Sequence, residues 1–491
     1  MSDNASPPPE CGFPEDKMPW PFLNVPRCSR INWTLGTHLS FRPIMNSDTL
    51  PDLLDFADWL QQHDPHAQYH LRLLEQIEPT VMRGSPEARQ RLATRLERWR
   101  YQHVQERSGW FEAMDHAFLD TLGEVTSHLT GVPVRSPRRT AQVLESGSAE
   151  PDAVGEALAM LAPEQPLDSV AARARGLTQQ HFAVTASSAG GEVRRRRMLL
   201  YAPLYVASHC INFCTYCGFR YPLAIPRRHL SLGEACEEIA LLQQRGFGHL
   251  LIVGGEYPQL TSTEYYCRIA AAVAERGIVP AVEIAPQGTG AYGELNRAGV
   301  RGVTLYQETY DPERYAQYHP RGPKSHYHWR LEAHDRAAEA GMERLGLGVL
   351  LGLADLRGEL RALMRHGAYL QQRFPDRTLA FSLPRIHEAP TDFVVPHPVS
   401  DDQLVRAYCA LRVVFPAAEL VLSTREMPAL RNRLATICIT QMSAGSCTTP
   451  GGYAEYPPAS GQQFPVADQR SPADVAGWLD QAGFHVAWSI D

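Results

Sequence analysis

Cys210, Cys214 and Cys217, in the segment HCINFCTYCGF, are the residues best spaced to act together. Three thiols within eight residues can converge on one metal centre. A mononuclear structural zinc wants a fourth ligand, commonly from a second CxxC or a His pair. None lies at a suitable spacing, and His209 adjoins Cys210 too closely to share its site. A [4Fe–4S] cluster held by three cysteines leaves one iron open. That open iron can take the amino and carboxylate groups of S-adenosylmethionine. A chance grouping of buried thiols is the alternative.

Such a loop needs a scaffold. After the RRRR run at 194–197, β-rich apolar runs alternate with amphipathic helical stretches. The runs are MLLYAPLYV, HLLIVGGE, PAVEIAP, GVTLYQETY, LGLGVLLGL, LAFSLPRI, ELVLSTRE and ICITQMS. Alternation of this kind specifies parallel strands with helical crossovers. Eight units over residues 195–450 predict an α/β fold, a (β/α)8 TIM-type barrel, with an open doubly wound sheet as the alternative. Polar residues gather at the ends of these runs: Glu256, Gln307, Glu308, Arg385, Arg425 and Ser443. A barrel would bring all of them to one mouth, at the carboxyl ends of its strands.

The rest of the chain reads differently. Residues 1–30 are rich in proline and polar residues, and residues 50–130 have helical periodicity without the grouping of a catalytic site. Residues 1–140 are therefore an irregular tail plus an all-helical accessory domain, a candidate docking surface for a protein partner. A linker (131–152) and a helical lead-in (150–190) follow, with TASSAGG as a flexible break before the barrel. Residues 451–491 are expected to close the barrel.

Of the 47 basic residues only Lys17 and Lys324 are lysines. The arginine excess invites a nucleic-acid reading, but a net charge of −7 argues against it, and codon bias explains it. No run of eighteen apolar residues and no basic, apolar leader occur in the 491 residues, so neither a membrane span nor secretion is expected. In the cytoplasm the ten cysteines are not expected to form structural disulfides. Cys11 and Cys28 are scattered, and Cys236, Cys267 and Cys409 fall in predicted helices and read as core thiols.

The cysteine spacing, Tyr216 before the third cysteine and the barrel mouth together resemble the radical S-adenosylmethionine superfamily. There the reduced cluster donates an electron to the sulfonium and releases a 5′-deoxyadenosyl radical. Gly254-Gly255-Glu256 resembles the element that binds the methionine amino group, and Glu283 is placed like the family's ribose contact. Tyr216 and Phe219 belong to the same cofactor-binding stretch. A narrower resemblance runs from about residue 150 to the carboxyl end. PLYVASHC, YQETYDPERYAQYHPRGPKSHY, LGVLLGL, STRE, MSAGSCTTPGGY and QQFPVADQRS look like segments of the aromatic amino-acid lyases. These are 2-iminoacetate synthase, the tyrosine lyase that matures [FeFe]-hydrogenase, and tryptophan lyase.

That resemblance implies a [4Fe–4S] cluster, S-adenosylmethionine, an aromatic amino-acid substrate and an electron donor such as flavodoxin or ferredoxin. It implies cleavage of the carbon–carbon bond next to Cα, for tyrosine yielding dehydroglycine and p-cresol. Arg425 then serves as the carboxylate fork, since guanidinium pairs carboxylate bidentately. Ser443 adds a hydrogen bond, Tyr205 is positioned to reach the amine, Gln307 and Arg385 are further pocket residues, and Glu308 meets the amino acid of the sulfonium ligand. The bland readings stand beside these. Arg425 and Arg385 are two of many arginines, and a salt bridge of Glu426 to another strand-end residue is easy to imagine. Tyr205 could be a packed aromatic.

The maturase carries a second cluster on a carboxyl-terminal CxxC, and no cysteine follows Cys447 here. A tyrosine lyase of the thiamine-biosynthesis type is therefore expected first, and a tryptophan lyase or another specialised-metabolism enzyme second. An iron–sulfur or zinc regulatory protein and a silent barrel scaffold are the non-catalytic alternatives. GLGVLLG misses the dinucleotide fingerprint, being itself a strand with its third glycine one residue late. His326 and His328 lack helical ligand spacing and belong to a helix start. Lys324, one of two lysines retained, lies inside a lyase-like segment and hints at an ammonium with a position to hold.

Overall fold

The computed structural model describes residues 140, 143–144, 152–188, 191–454 and 461–490, all within the unit 83–491. Residues 1–139, and with them the expected helical accessory domain, Cys11 and Cys28, lie outside the described residues. The lead-in is two helices, α1 (Asp152–Ala159) and α2 (Leu167–Phe182). The chain then enters β1 (Ala183–Ser188), antiparallel to the start of the long strand β2 (Gly191–Ala207). TASSAGG, expected as a flexible break, is thus mostly strand, and β2 begins upstream of the expected barrel boundary at 195. The physical reason is the pairing itself: Ala183 to Ser188 run in register against Arg196 to Gly191.

The barrel follows as alternating helix and strand. After β2 come α3 (Leu232–Gln244), β3 (His249–Gly254), α4 (Thr263–Ala274), β4 (Val279–Glu283), α5 (Thr289–Arg297) and β5 (Gly302–Glu308). Three short helices, α6 (Pro312–Tyr318), α7 (Tyr327–Leu331) and α8 (Ala333–Glu339), precede β6 (Arg344–Val349). Then come α9 (Leu356–Arg373), β7 (Thr378–Ser382), α10 (Asp401–Val414), β8 (Glu419–Leu422), α11 (Pro428–Ile437) and β9 (Gln441–Ser443). Helix α12 (Pro472–Gln481) and strand β10 (Phe484–Ala487) end the described chain. Strands β2 to β9 pair in order, all parallel, and β2 pairs with β9 to close an eight-stranded barrel. β10 adds beside β2 below the barrel, pairing Phe484–Ala487 with Arg196–Leu199.

Alternation along each strand divides the core. Leu200, Ala202, Leu204, Leu250, Ile252 and Val282 face outward into the layer shared with the helices. Tyr201, Tyr205, Leu251, Val253 and Ala281 face inward and pack with Phe219 of the cysteine loop. The period of two thus separates a structural wall from a functional lining. The strand expected over ICITQMS is shorter than predicted. Ile437 ends α11 and Cys438 is its cap, so only Gln441–Ser443 pair. Among the described residues no helix is long and apolar enough to cross a membrane.

Candidate active site at the barrel mouth

The cysteine loop leaves the end of β2 and lies against the end of β3. A Cβ on Gly255 would sit 2.3 Å from the His209 carbonyl oxygen, and one on Gly254 would sit 2.4 Å from the Tyr266 hydroxyl. Gly255 is therefore what lets the loop approach, and Gly254 makes room for Tyr266. Gly255 N–H donates to Ala207 O at 3.0 Å, and Ile211 N–H donates to Glu256 O at 2.9 Å. Asn212, between the first two cysteines, clamps the loop. Its Nδ2 donates to Glu256 Oε2 at 2.7 Å, and its Oδ1 accepts from Lys324 N–H at 2.8 Å.

Cys210, Cys214 and Cys217 are unpaired thiols. Burial raises all three pKa values above the ordinary thiol range. Ionising them together therefore needs a compensating positive centre. Three soft sulfur donors on one loop fit an iron–sulfur cluster. Among the described residues no three of His, Cys, Asp and Glu, the three cysteines included, are drawn together as for a single metal ion.

Glu283 and Glu308 end β4 and β5, with contrasting charge states. Burial pushes the Glu283 carboxyl up to about 7, against the pull of Arg425. Burial would raise Glu308 as well, but Lys324 and Arg330 overcome it and hold the group at about 2. Lys324 Nζ donates to Glu308 Oε1 at 2.6 Å and Arg330 Nη2 at 3.2 Å. Glu308 is the non-glycine residue with positive φ among those described, at 72°. A register shift between Tyr306 and Glu308 marks a bulge there, with Gln307 as the extra residue. Backbone strain and a bulge beside a strand end re-aim side chains, and here they turn a carboxylate toward two cations. Gln307 is buried with its Nε2 unpartnered.

On the far side, Arg425 follows β8 and lies over the Phe464 ring at 3.4 Å. Among the described residues it makes no ion pair, yet its charge acts on Glu283, Tyr205 and Cys217. An arginine without an acidic partner in that company is available to a ligand carboxylate. Arg385 is differently committed. Its Nε and Nη2 donate to Glu426 at 3.0 and 2.7 Å, and its Nη2 also meets Asp401. The strand-end salt bridge of Glu426 is therefore with Arg385, which ties the loop after β7 to the loop after β8. Tyr205 donates its hydroxyl to Gln463 Oε1 at 2.6 Å and packs edge-on to Phe219. Ser443 Oγ is buried beside the Tyr201 phenol, whose pKa burial pushes up to about 12 while a side-chain hydrogen bond with Ser443 pulls it down.

Tyr216 donates its hydroxyl to His319 Nε2 at 2.8 Å. Burial, then Lys324, lowers the His319 pKa to about 3, so the ring is neutral. Its Nδ1 must then carry the proton, because it meets the Tyr315 carbonyl at 2.8 Å, which leaves Nε2 to accept. The structure sets Glu256, Glu308, Arg425 and Tyr205 within reach of the cysteine loop, whereas Arg385 is committed to Glu426 and Asp401 and Ser443 lies beside Tyr201. It adds Asn212, Arg330, His319, Gln463 and Phe464, which sequence reasoning assigned no role. Asn212 sits inside the cysteine motif and could have been found there. Gln463 and Phe464 belong to QQFPVADQRS, whose place over the mouth is a tertiary fact.

Comparison with known proteins identifies the family. The Radical SAM superfamily profile matches residues 204–365, and that of the Biotin and Thiamin Synthesis associated domain matches residues 382–485. The chain is 37% identical over 335 residues to 2-iminoacetate synthase of Escherichia coli (strain K12), covering 67% of this chain and 85% of that protein. It is 36% identical to the 2-iminoacetate synthase of Salmonella typhimurium (strain LT2), with the same coverage. Among solved structures, HydG, a maturase of the [FeFe]-hydrogenase, superposes with a TM-score of 0.61 at 31% identity, over 72% of this chain and 80% of that one. HydG from Carboxydothermus hydrogenoformans gives 0.62 at 28% identity, over 80% and 85%.

Proposed function

The chain belongs to the radical S-adenosylmethionine aromatic amino-acid lyases, carbon–carbon lyases that work with a [4Fe–4S] cluster, and from that premise we propose that it cleaves L-tyrosine to dehydroglycine and p-cresol. The observation that carries this reading is Arg425: a guanidinium with no acidic partner among the described residues, held over Phe464 and within electrostatic reach of Cys217. The relatives named 2-iminoacetate synthase support tyrosine as the substrate.

When bound, the cluster and S-adenosylmethionine supply a carbon-centred radical able to take a hydrogen atom from the substrate. Cys210, Cys214 and Cys217 hold the cluster. Gly255 lets the cysteine loop seat against the end of β3, and Glu256, kept in place by Asn212, would accept from the cofactor's amino group. Glu308, ionised between Lys324 and Arg330, offers a second acceptor there. Glu283, which burial keeps largely protonated below about pH 7, would meet the ribose, where it could both donate and accept a hydrogen bond. Tyr216 and Phe219 wall the cofactor.

Arg425 takes the substrate carboxylate in its fork. Tyr205, oriented by Gln463, faces the amine, and the Ser443 hydroxyl adds a hydrogen bond. Gln307 supplies a further amide donor. Arg385 acts indirectly, by fixing Glu426 and so the backbone that presents Arg425. The inward lining of Leu251, Val253 and Ala281 keeps water from the reacting atoms.

Anaerobic reconstitution with iron and sulfide, followed by S-adenosylmethionine, dithionite and tyrosine, tests the reading. Formation of p-cresol with 5′-deoxyadenosine is expected. An indolic product from tryptophan, with none from tyrosine, would transfer the assignment to a tryptophan lyase. No cluster absorbance, or no 5′-deoxyadenosine above background, would return the chain to a binding or scaffold role.

A further inference from the structure

Beneath Arg425 the barrel interior carries hydroxyl groups that neither the cluster nor the carboxylate fork uses. On β5, Thr304 and Tyr306 remain partly accessible while Val303 and Leu305 between and beside them are buried. Along β8 and just past it, Val421, Ser423 and Arg425 are partly accessible and alternate with buried Leu422 and Thr424. Val421 packs with the inward lining. Accessibility on the inner face of a closed barrel marks an internal space. A cavity of about 20 Å³ lies there, lined by Tyr201, Leu251, Thr304, Tyr306, Ser382 and Val421 among others. That is room for one water-sized group. Arg344, paired with Glu419 and bonded to Gln441 at the starts of their strands, spans the barrel below it. The accessible residues thus lead from the cavity up to Arg425, whose charge also acts on Tyr306.

The glycines of GLGVLLG hold one wall of this cavity. Gly346 and Gly348 pair with Thr304 and Tyr306 across β5 and β6. A Cβ on Gly348 would lie 2.5 Å from Tyr306 Cδ1 and 2.3 Å from Ser382 O, and one on Gly346 would lie 2.6 Å from Thr304 Oγ1. The Tyr306 ring therefore rests against bare backbone, with its hydroxyl in reach of Ser382 on β7. The direction of the hydrogen bonds follows. Tyr408 donates its hydroxyl to Val421 O at 2.8 Å and accepts from Leu383 N–H at 3.0 Å. Ser382 is in reach of the Tyr408 hydroxyl as well. With the Tyr408 proton committed, Ser382 donates to Tyr408, and Tyr306 donates to Ser382. The Tyr306 oxygen keeps its lone pairs for a donor in the cavity. Burial raises this phenol well above its ordinary pKa, so it stays neutral.

We propose that Tyr306 accepts the hydroxyl of the substrate's side chain and so selects a phenol over a plain benzyl or an indole group. The inference deepens the tyrosine-lyase reading and rests on it. With the carboxylate on Arg425, the side chain points down β8, and its para hydroxyl is the donor that the Tyr306 lone pairs lack. Phenylalanine would bury those lone pairs without a donor. The second ring of an indole exceeds a space sized for one hydroxyl. Sites built to hydrogen-bond a substrate hydroxyl reject the analogue lacking it by up to roughly 10⁴–10⁵-fold.

The test uses the reconstituted holoenzyme with S-adenosylmethionine and measures tyrosine and phenylalanine binding by calorimetry, beside KM and kcat for tyrosine. The wild-type protein should bind phenylalanine about a hundredfold more weakly than tyrosine. Tyr306→Phe should raise Kd and KM for tyrosine by about tenfold, leave the phenylalanine Kd within about threefold, and keep the cluster spectrum. Ser382→Ala leaves Tyr306 in place and serves if the first variant fails to fold; it should weaken tyrosine binding severalfold and phenylalanine binding not at all. Equal binding of the two amino acids by the wild-type protein would overturn the proposal. So would losses of the same size for both amino acids in the variants, because the hydroxyl would then go unread and Tyr306 would be a packed wall. A wild-type protein that binds tryptophan and not tyrosine would instead defeat the tyrosine-lyase reading beneath it.

Discussion

Arg425 and Arg385 occupy equivalent positions past adjacent strands, yet their surroundings give them different work. Arg385 spends its donors on Glu426 and Asp401, whereas Arg425, among the described residues, lies over the face of Phe464 without an acidic partner. Replacing Arg425 by Lys retains the charge but loses the bidentate fork. The expected outcome is a tenfold or larger rise in KM for tyrosine, by roughly 1.4–3 kcal/mol of lost carboxylate binding, with an unchanged cluster spectrum. Loss of the cluster in that variant would show that Arg425 supports the loop rather than the substrate. Glu359 allows a second residue-scale prediction. It accepts from Thr309 Oγ1 at 2.6 Å and from Tyr310 N–H at 3.0 Å, holding the turn after Glu308, and burial pushes it up to about 7. Between pH 4.5 and 7 the folded chain keeps a proton that the unfolded chain has released, so stability falls as pH rises through that window. Glu359→Gln should remove that part of the slope, on the order of 3 kcal/mol, in urea denaturation at pH 5 and pH 7.5.

At the scale of elements, the site is made by strand ends and by what can pack against them. The β2 and β5 ladders each slip in register just before their ends, at Tyr205/Ala207 and at Tyr306/Glu308, where the cysteine loop and the Glu308 carboxylate are launched. The end of β3 contributes by having no side chain. Gly255→Ala would drive a methyl into the His209 carbonyl at 2.3 Å, and backbone on that side cannot yield cheaply. The fold should survive, because the barrel core lies elsewhere, while iron retention after reconstitution drops severalfold. A variant with full iron content and normal S-adenosylmethionine binding would show that the loop can move aside. The helices were legible for ordinary reasons: Ser231 caps α3 with Glu234 in a reciprocal box, and Ser400 caps α10 with Gln403. The hairpin at Ala183–Ser188 was not legible, because small and polar residues read as a break until a partner strand pairs with them.

At the scale of the whole molecule, residues 461–468 strap the mouth. Gln463 O accepts from Gly218 N–H at 3.1 Å, and Asp468 N–H donates to Thr424 O at 3.1 Å, so one segment touches the cysteine loop and the loop bearing Arg425. Asp468 also pairs with Arg431, both wholly buried, and with Arg470 at 2.6 Å. Asp468→Ala should cost about 3–5 kcal/mol, because it leaves the Arg431 charge buried without its partner. Thermal denaturation would measure it, and a loss below 1 kcal/mol would mean that the strap is not anchored there. Taken by itself, the sequence determined the cluster-type cysteine spacing, the eight strands and the set of polar residues at their ends. Those follow from local rules: ligand spacing within one loop, and a period of two alternating with helical stretches. Only the tertiary structure decided which arginine is free and which is paired, that Glu283 is held near neutrality while Glu308 is ionised, and that a distant segment covers the mouth. Charge state and partnership depend on burial and on neighbours brought together from separate strands, and neither is written in the spacing along the chain.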